Sequence, residues 1–165
     1  MSLATDSIFV TALQSNSELL EKLTESIDDD GTTVIDETPR LYGTAIGLPD
    51  DDAENVPVPY VIVTFDGLTN DRGTKDDRYE SDYDTVNIGI TVTAKTLDDL
   101  HTLTQMVRDT ILSYLRANET AIMDYQFAAQ QIQYDSLKPC YWQVLTYQCD
   151  VVNTHDDEQE SNSDI

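Results

Sequence analysis

Between Thr85 and Leu115 the hydrophobic period of this chain changes from two to 3.6, and that change constrains the fold more than any other feature. In Thr85–Thr93, Val86, Ile88, Ile90 and Val92 point to one side, while Asn87, Gly89 and Thr91 point to the other. Shortly after, Thr96 stands where an N-cap should, with Asp99 three residues on, close to a capping box. Leu97, Leu100, Leu103, Thr104, Val107, Ile111, Leu112 and Leu115 then form a helical stripe, and Asn118 is its expected end. A half-buried strand feeding an amphipathic helix calls for a sheet with one helix-covered face.

The flanking segments extend that layout. Tyr60–Phe65 is β-branched and aromatic and reads as a buried strand, with Pro57 and Pro59 confined to its start. Met123–Tyr134 and Tyr141–Val152, separated by Pro139, read as two more strands. The second carries Tyr141, Leu145, Tyr147, Cys149 and Val151 on one face and Trp142, Val144 and Val152 on the other, as if covered on both sides. Near the start, Asp6 or Ser7 can cap a helix bearing Ile8, Phe9, Ala12 and Leu13. Ser15–Glu18 reads as a break and a fresh cap. The stripe then continues through Leu19, Leu20, Leu23 and Ile27 until Asp28-Asp29-Asp30-Gly31 opposes the helix dipole. Val34-Ile35 and Leu41-Tyr42 are short apolar pieces on either side of Pro39, and Asp66–Asp84 reads as a long polar loop.

The order helix, small strand, strand, strand, helix, strand, strand gives an α+β fold. It predicts an antiparallel or mixed sheet of about four to five strands with two main helices packed on one face. Residues 1–153 form one domain in this reading, and 154–165 an acidic tail.

Charge decides which partners such a domain can have. Asp and Glu number 32 against 9 Lys and Arg, a formal net charge of -23. That field repels phosphate, so specific nucleic-acid binding and anionic membranes are both disfavoured. Disorder, cation binding and salt adaptation each explain acidity. The periodic segments argue against the first for most of the chain. Asp in excess of Glu, scarce Lys, abundant Thr and acids spread along the whole length favour the third, a composition similar to that of salt-in haloarchaea and their viruses. At molar salt the Debye length falls to about 3 Å, which screens the self-repulsion. Met1–Asp6 lacks a basic, apolar leader and no run is long enough to span a membrane, so neither export nor a membrane partner is expected. Cys140 and Cys149 read as two buried thiols rather than a disulfide.

Catalytic signatures are hard to find. His101 and His155 have no second ligand at metal spacing. Asp28–Asp30 and Asp50–Asp52 lack the alternating oxygens and Gly of a calcium loop and read as solvated acid runs. Gly43-Thr44-Ala45-Ile46-Gly47 has no Lys and no following helix, which makes it a poor phosphate loop. No nucleophile–base set presents itself. The expectation is a non-enzyme with no cofactor and no metal. Arg72, Lys75 and Arg78, a third of the basic residues, sit together in the long loop. They either relieve the charge of Asp71, Asp76, Asp77 and Glu80 or make a projecting contact.

The chain resembles the tail terminator, or tail-to-head joining, proteins of long-tailed viruses. The resemblance is carried by the opening helix with Ala12-Leu13 and Leu19-Leu20-Glu21-Lys22-Leu23, by Arg40-Leu41-Tyr42, by Pro57-Val58-Pro59-Tyr60-Val61-Ile62-Val63 after a loop, by the strand Val86–Val92, and by Thr96-Leu97-Asp98-Asp99-Leu100 opening the second helix. It covers about residues 5 to 152, and the long acidic loops depart from the family's compact pattern. It implies a homohexameric ring that caps the tail tube and docks the neck. Its partners would be further copies of the chain, the major tail tube protein and a neck or stopper protein. DNA would pass through without specific binding, in a virion assembled in the host cytoplasm. Contacts are then expected in Thr69–Asp82 and its margins, with Arg72, Lys75, Arg78, Tyr79 and Tyr83 as interface residues. Another neck protein, a connector or stopper, is the nearest alternative. A host halophilic small binding protein and an enzyme using scattered carboxylates are the others.

Overall fold

A computed structural model describes residues 2–28, 30–49, 56–70 and 82–152. Helices α1 (Thr5–Gln14) and α2 (Ser17–Lys22) open the chain. Strands β1 (Glu25–Ile27), β2 (Thr33–Ile35), β3 (Leu41–Gly43), β4 (Val61–Thr69) and β5 (Tyr83–Ala94) follow. Helix α3 (Leu97–Ala117) and strands β6 (Ile122–Ala129), β7 (Gln133–Asp135) and β8 (Cys140–Val152) complete it. The main sheet has six strands in the order β3-β4-β5-β8-β6, with β7 also paired to β8, while β1 and β2 form a separate two-stranded sheet. Only β3–β4 is parallel, so the main sheet is mixed. The α+β class holds, with more strands than the sequence suggests because short β3 and β7 both join.

One sheet face holds the core. Val86, Ile88, Ile90 and Val92 of β5 are at most 1% exposed, and Val61, Val63, Leu145, Tyr147, Cys149 and Val151 share their face. Phe9 and Leu13 of α1 and Leu100, Leu103, Val107 and Ile111 of α3 close over them. Phe9, Tyr125 and Phe127 all meet Tyr147, with ring centroids 5.0, 5.4 and 5.1 Å away. Two bulges keep this face continuous. An extra residue between Phe65 and Gly67 brings Phe65 and Leu68 both inward, and one between Ile122 and Asp124 does the same for Ile122 and Tyr125. The first bulge carries β4 on to Thr69, past the expected strand end at Phe65.

The caps follow the side chains. Thr96 Oγ1 accepts from Asp99 N, and Asn118 caps the other end of α3 as expected. Asn16 Oδ1 accepts from Glu18 N and Leu19 N, the fresh start expected for α2, and its Nδ2 donates to Thr110 Oγ1 at 2.8 Å, tying α2 to α3. Helix α1 starts at Thr5 without a side-chain cap. Asp6 is instead buried and accepts from Thr44 Oγ1 at 2.5 Å.

The second helix does not run to Ile27. It ends at Lys22, and Ile27 lies in β1. Asp28 does not stop a helix; its Oδ1 accepts from Asp30 N and Thr32 N in the turn between β1 and β2, with Gly31 at φ 80°. The helical spacing from Leu19 to Ile27 is overridden because the carbonyls of Leu23, Thr24 and Glu25 are taken by Arg40 and Asp36. Gly43 and Gly47 exchange both backbone hydrogen bonds in a closed turn, and a Cβ on Gly43 would lie 2.5 Å from the Val63 carbonyl oxygen. The expected run Met123–Tyr134 is split into β6 and β7, and β8 is half-buried, not covered, on its Trp142–Val144 side.

Candidate functional site

Arg72, Lys75, Arg78 and Tyr79 lie outside the described residues, as does the acidic segment 154–165. Tyr83 opens β5 opposite Val152 and is 50% exposed. The margins of the polar insertion are held together beside it: Asn70 Nδ2 donates to the Tyr83 carbonyl at 3.2 Å and to Asp84 Oδ1 at 2.6 Å.

Two surfaces stand out in the described domain. The first is the sheet face turned away from the helices. Cross-strand pairing puts Ile62, Thr91 and Val144 side by side, then Thr64, Gly89 and Thr146, then Asn87 and Gln148. Thr93 and Trp142 form the next row toward the start of β8. Helix α1 contacts β4 and β5, and α3 contacts β5 and β8, all from the opposite side. Among the described residues, carboxylates reach this face at the bulge residue Asp66, at Asp124 and Asp150, where β6 begins and β8 ends, and at Asp135 of β7 beside Cys140. The Asp66 side chain lies over Gly89, taking the space a Cβ there would need, and accepts from Thr64 Oγ1 at 2.8 Å. The direct cross-strand neighbours of Ile62, Thr91, Trp142 and Val144 are uncharged, and charge returns one row on, where Asp135 of β7 pairs with Cys140 and Lys138 lies 5.6 Å from the Tyr60 ring.

The second surface is the β1–β2 hairpin. Glu25 pairs with Ile35, Ser26 with Val34 and Ile27 with Thr33, which sets Ile27 and Ile35 on one side. Ile27, Val34 and Ile35 are 54%, 39% and 72% exposed, and these six residues hold three of the eleven large apolar side chains exposed on the described surface. A small free hairpin of this kind is marginal alone. Arg40 fixes it. Its guanidinium, 3% exposed, donates to the carbonyls of Pro59 (2.9 Å), Thr24 (3.4 Å) and Glu25 (2.5 Å) and to the Asp36 carboxylate (2.5 Å). One planar fork thus joins the hairpin base to the start of β4. Beneath the hairpin a cavity of about 220 Å³ is lined by Lys22, Ser26, Pro59, Lys95, Asp99 and Leu103. This places the hairpin on the helix side of the sheet, away from the open face.

Sequence reasoning missed this latch. Its only trace was a lone Arg between Pro39 and an apolar strand in a chain poor in cations.

The titratable groups of the interior serve packing. Burial pushes the Cys149 thiol from 9.0 up to about 12, and raises Cys140 as well; both cysteines are free. The Tyr147 hydroxyl is raised chiefly by burial and finds no hydrogen-bond partner among the described residues. Lys138 donates to the Val56 carbonyl and lies 5.6 Å from the Tyr60 ring, and burial lowers its pKa. Arg108 stacks 4.0 Å above Phe127. His101 is on the exposed side of α3, and among the described residues no cluster of three metal-ligating side chains occurs.

No family model and no curated protein sequence matches the chain. Among solved structures, one chain of the "virion of native gene transfer agent (GTA) particle" is 12% identical, with a TM-score of 0.54, and the match covers 92% of this chain and 98% of that one. A protein from Akkermansia muciniphila is 8% identical over 93% of this chain and 79% of its own, but a TM-score of 0.28 carries no argument. The GTA likeness is one of fold, and it spans both chains nearly end to end.

Proposed function

We propose that this chain is a virion structural protein: a ring-forming tail terminator that caps the tail tube, joins it to the neck and leaves a channel for DNA. The observation that carries the reading is the end-to-end fold likeness to a chain of a virion particle, 92% of one covered by 98% of the other. The function of the chain on this reading lies in its surfaces, and the domain offers two that are unpaired, the open sheet face and the latched hairpin. The net charge of -23 suits a conduit, because an acidic wall repels phosphates and lets DNA slide. The same charge suits a protein working in molar salt, where it is screened. The partners are further copies in a homohexamer, the tail tube protein and a neck or stopper protein.

Mass measurement by light scattering in molar salt, alone and with isolated tail tubes, tests this directly. A closed ring of six chains, free or on the tube end, is the expected result. A stable monomer with no affinity for tube or neck proteins would overturn it. Affinity for a neck protein without affinity for the tube would reassign the chain as a connector or stopper. Transfer to dilute buffer should unfold the domain, as read by circular dichroism; equal stability in dilute and molar salt would end the salt-adaptation argument.

A further inference from the structure

We infer that the outer edge of β6 takes up an extended strand from a different protein of the virion, one that brings a carboxylate to Arg108. This rests on the function proposed above and names how the chain holds its tube or neck partner. Strand β6 ends the main sheet: among the described residues it pairs with β8 alone. The bond from Gln130 N to the Val144 carbonyl fixes the phase of that ladder. Asp124, Gln126 and Ala128 therefore turn their backbone groups toward β8, and Tyr125, Phe127 and Ala129 turn theirs away from it. Edges of this length are normally guarded by charge, by proline or by a covering element. Tyr125–Tyr134 holds no Asp, Glu, Lys, Arg or Pro, although Asp124 and Asp135 flank it and the chain carries a net charge of -23.

The opposite end of the sheet is closed. Strand β3 is three residues long, Gly43 and Gly47 exchange both backbone hydrogen bonds, and Phe65 N donates to Thr44 Oγ1. Among the described residues no more than Gly67–Thr69 of β4 stays open there. A copy thus has no strand of matching length to give its neighbour in a ring. Strand β6 against β6 across a two-fold axis makes a closed pair, which is not the head-to-tail contact that builds a ring. What remains is a strand from a different protein, and Arg108 sets its chemistry. The guanidinium lies 4.0 Å over the Phe127 ring, at the middle of the edge, and among the described residues it has no carboxylate within ion-pair distance. A strand laid along β6 places every second side chain on that side, where an Asp or Glu reaches Arg108. Its other side chains meet an uncharged edge and need no charge of their own.

Ala129→Pro tests the edge. It removes an outward N–H at an exposed position and leaves the bonds to β8 in place, so the fold should persist. In molar salt the variant should assemble with itself as the wild type does. It should bind isolated tail tubes or purified neck protein, whichever the wild type binds, at least about tenfold more weakly. Arg108→Glu should weaken the same binding. Hydrogen exchange on the wild type needs no variant: the Tyr125, Phe127 and Ala129 amides should exchange freely in the chain alone and slow at least about tenfold in the complex. Wild-type binding by either variant, or a complex that leaves those amides open, overturns the inference and not the proposed function. Protection of the same amides in the chain alone, or loss of self-assembly by Ala129→Pro, also overturns it, because the edge is then covered by the chain itself or by a second copy. A wild type that binds neither tubes nor neck protein overturns both.

Discussion

The two sides of β5 differ by one residue of register and by almost everything else. Ile88 and Ile90 are at most 1% exposed under α1 and α3, while Asn87 and Thr91, which flank them, look outward. Aliphatic burial on one side holds the domain together. The other side is built from Thr, Gly, Asn and Gln, with Ile62, Trp142 and Val144 half-buried among them. That side is not a core, and its carboxylates, Asp66, Asp124, Asp135 and Asp150, lie around the uncharged rows, so the contrast separates what folds the chain from what is left at its surface.

Substitutions at neighbouring positions should expose the contrast most strongly. Ile90→Ala is expected to cost about 3–4 kcal/mol in urea unfolding at molar salt, through lost burial and a residual cavity. Thr91→Ala, one residue on, should stay within about 0.5 kcal/mol. Similar costs at both would mean that the outward face is packed as tightly as the core.

Arg40 sharpens the comparison between the body and its hairpin. Arg40→Ala strips donors from the carbonyls of Thr24, Glu25 and Pro59 and from Asp36, and should cost about 2–3 kcal/mol. Hydrogen exchange should then accelerate in β1 and β2 while β5 amides stay protected. Uniform acceleration would make Arg40 a part of the core, not a local latch. The smallest effect is expected within the packed face. Tyr147→Phe removes a buried hydroxyl that has no partner among the described residues and should be neutral or stabilising by up to about 1 kcal/mol. A clear loss of stability would show that the hydroxyl is satisfied.

What the sequence discloses tracks how local the cause is. The alternation of β5 and the stripe and caps of α3 are visible because burial on one face imposes a single period, and the cap residues act within a few positions of themselves. Strand β4 is legible only as far as Phe65: the bulge at Asp66 changes the parity, so Leu68 falls out of step in the string although it points inward in space. Strand β1 is misread as the end of a helix because Leu23 and Ile27 fit a helical spacing, while the groups that decide otherwise, Asp36, Arg40 and Pro59, arrive from later in the chain. Of the residues expected at an interface, only Tyr83 falls in the described domain. The open face could be read as polar from alternation alone. That no helix covers it could not, because coverage depends on where distant elements pack.

The position of Arg40 also couples the order of the hairpin to the rest of the fold. Its guanidinium is brought to the hairpin by the pairing of β3 with β4 and by the Pro59 carbonyl, so it reaches Thr24 and Glu25 only once that corner of the sheet exists. A chain with an unfinished sheet has no fixed hairpin to present. Order in the hairpin thus reports, through one side chain, whether that corner of the sheet is complete.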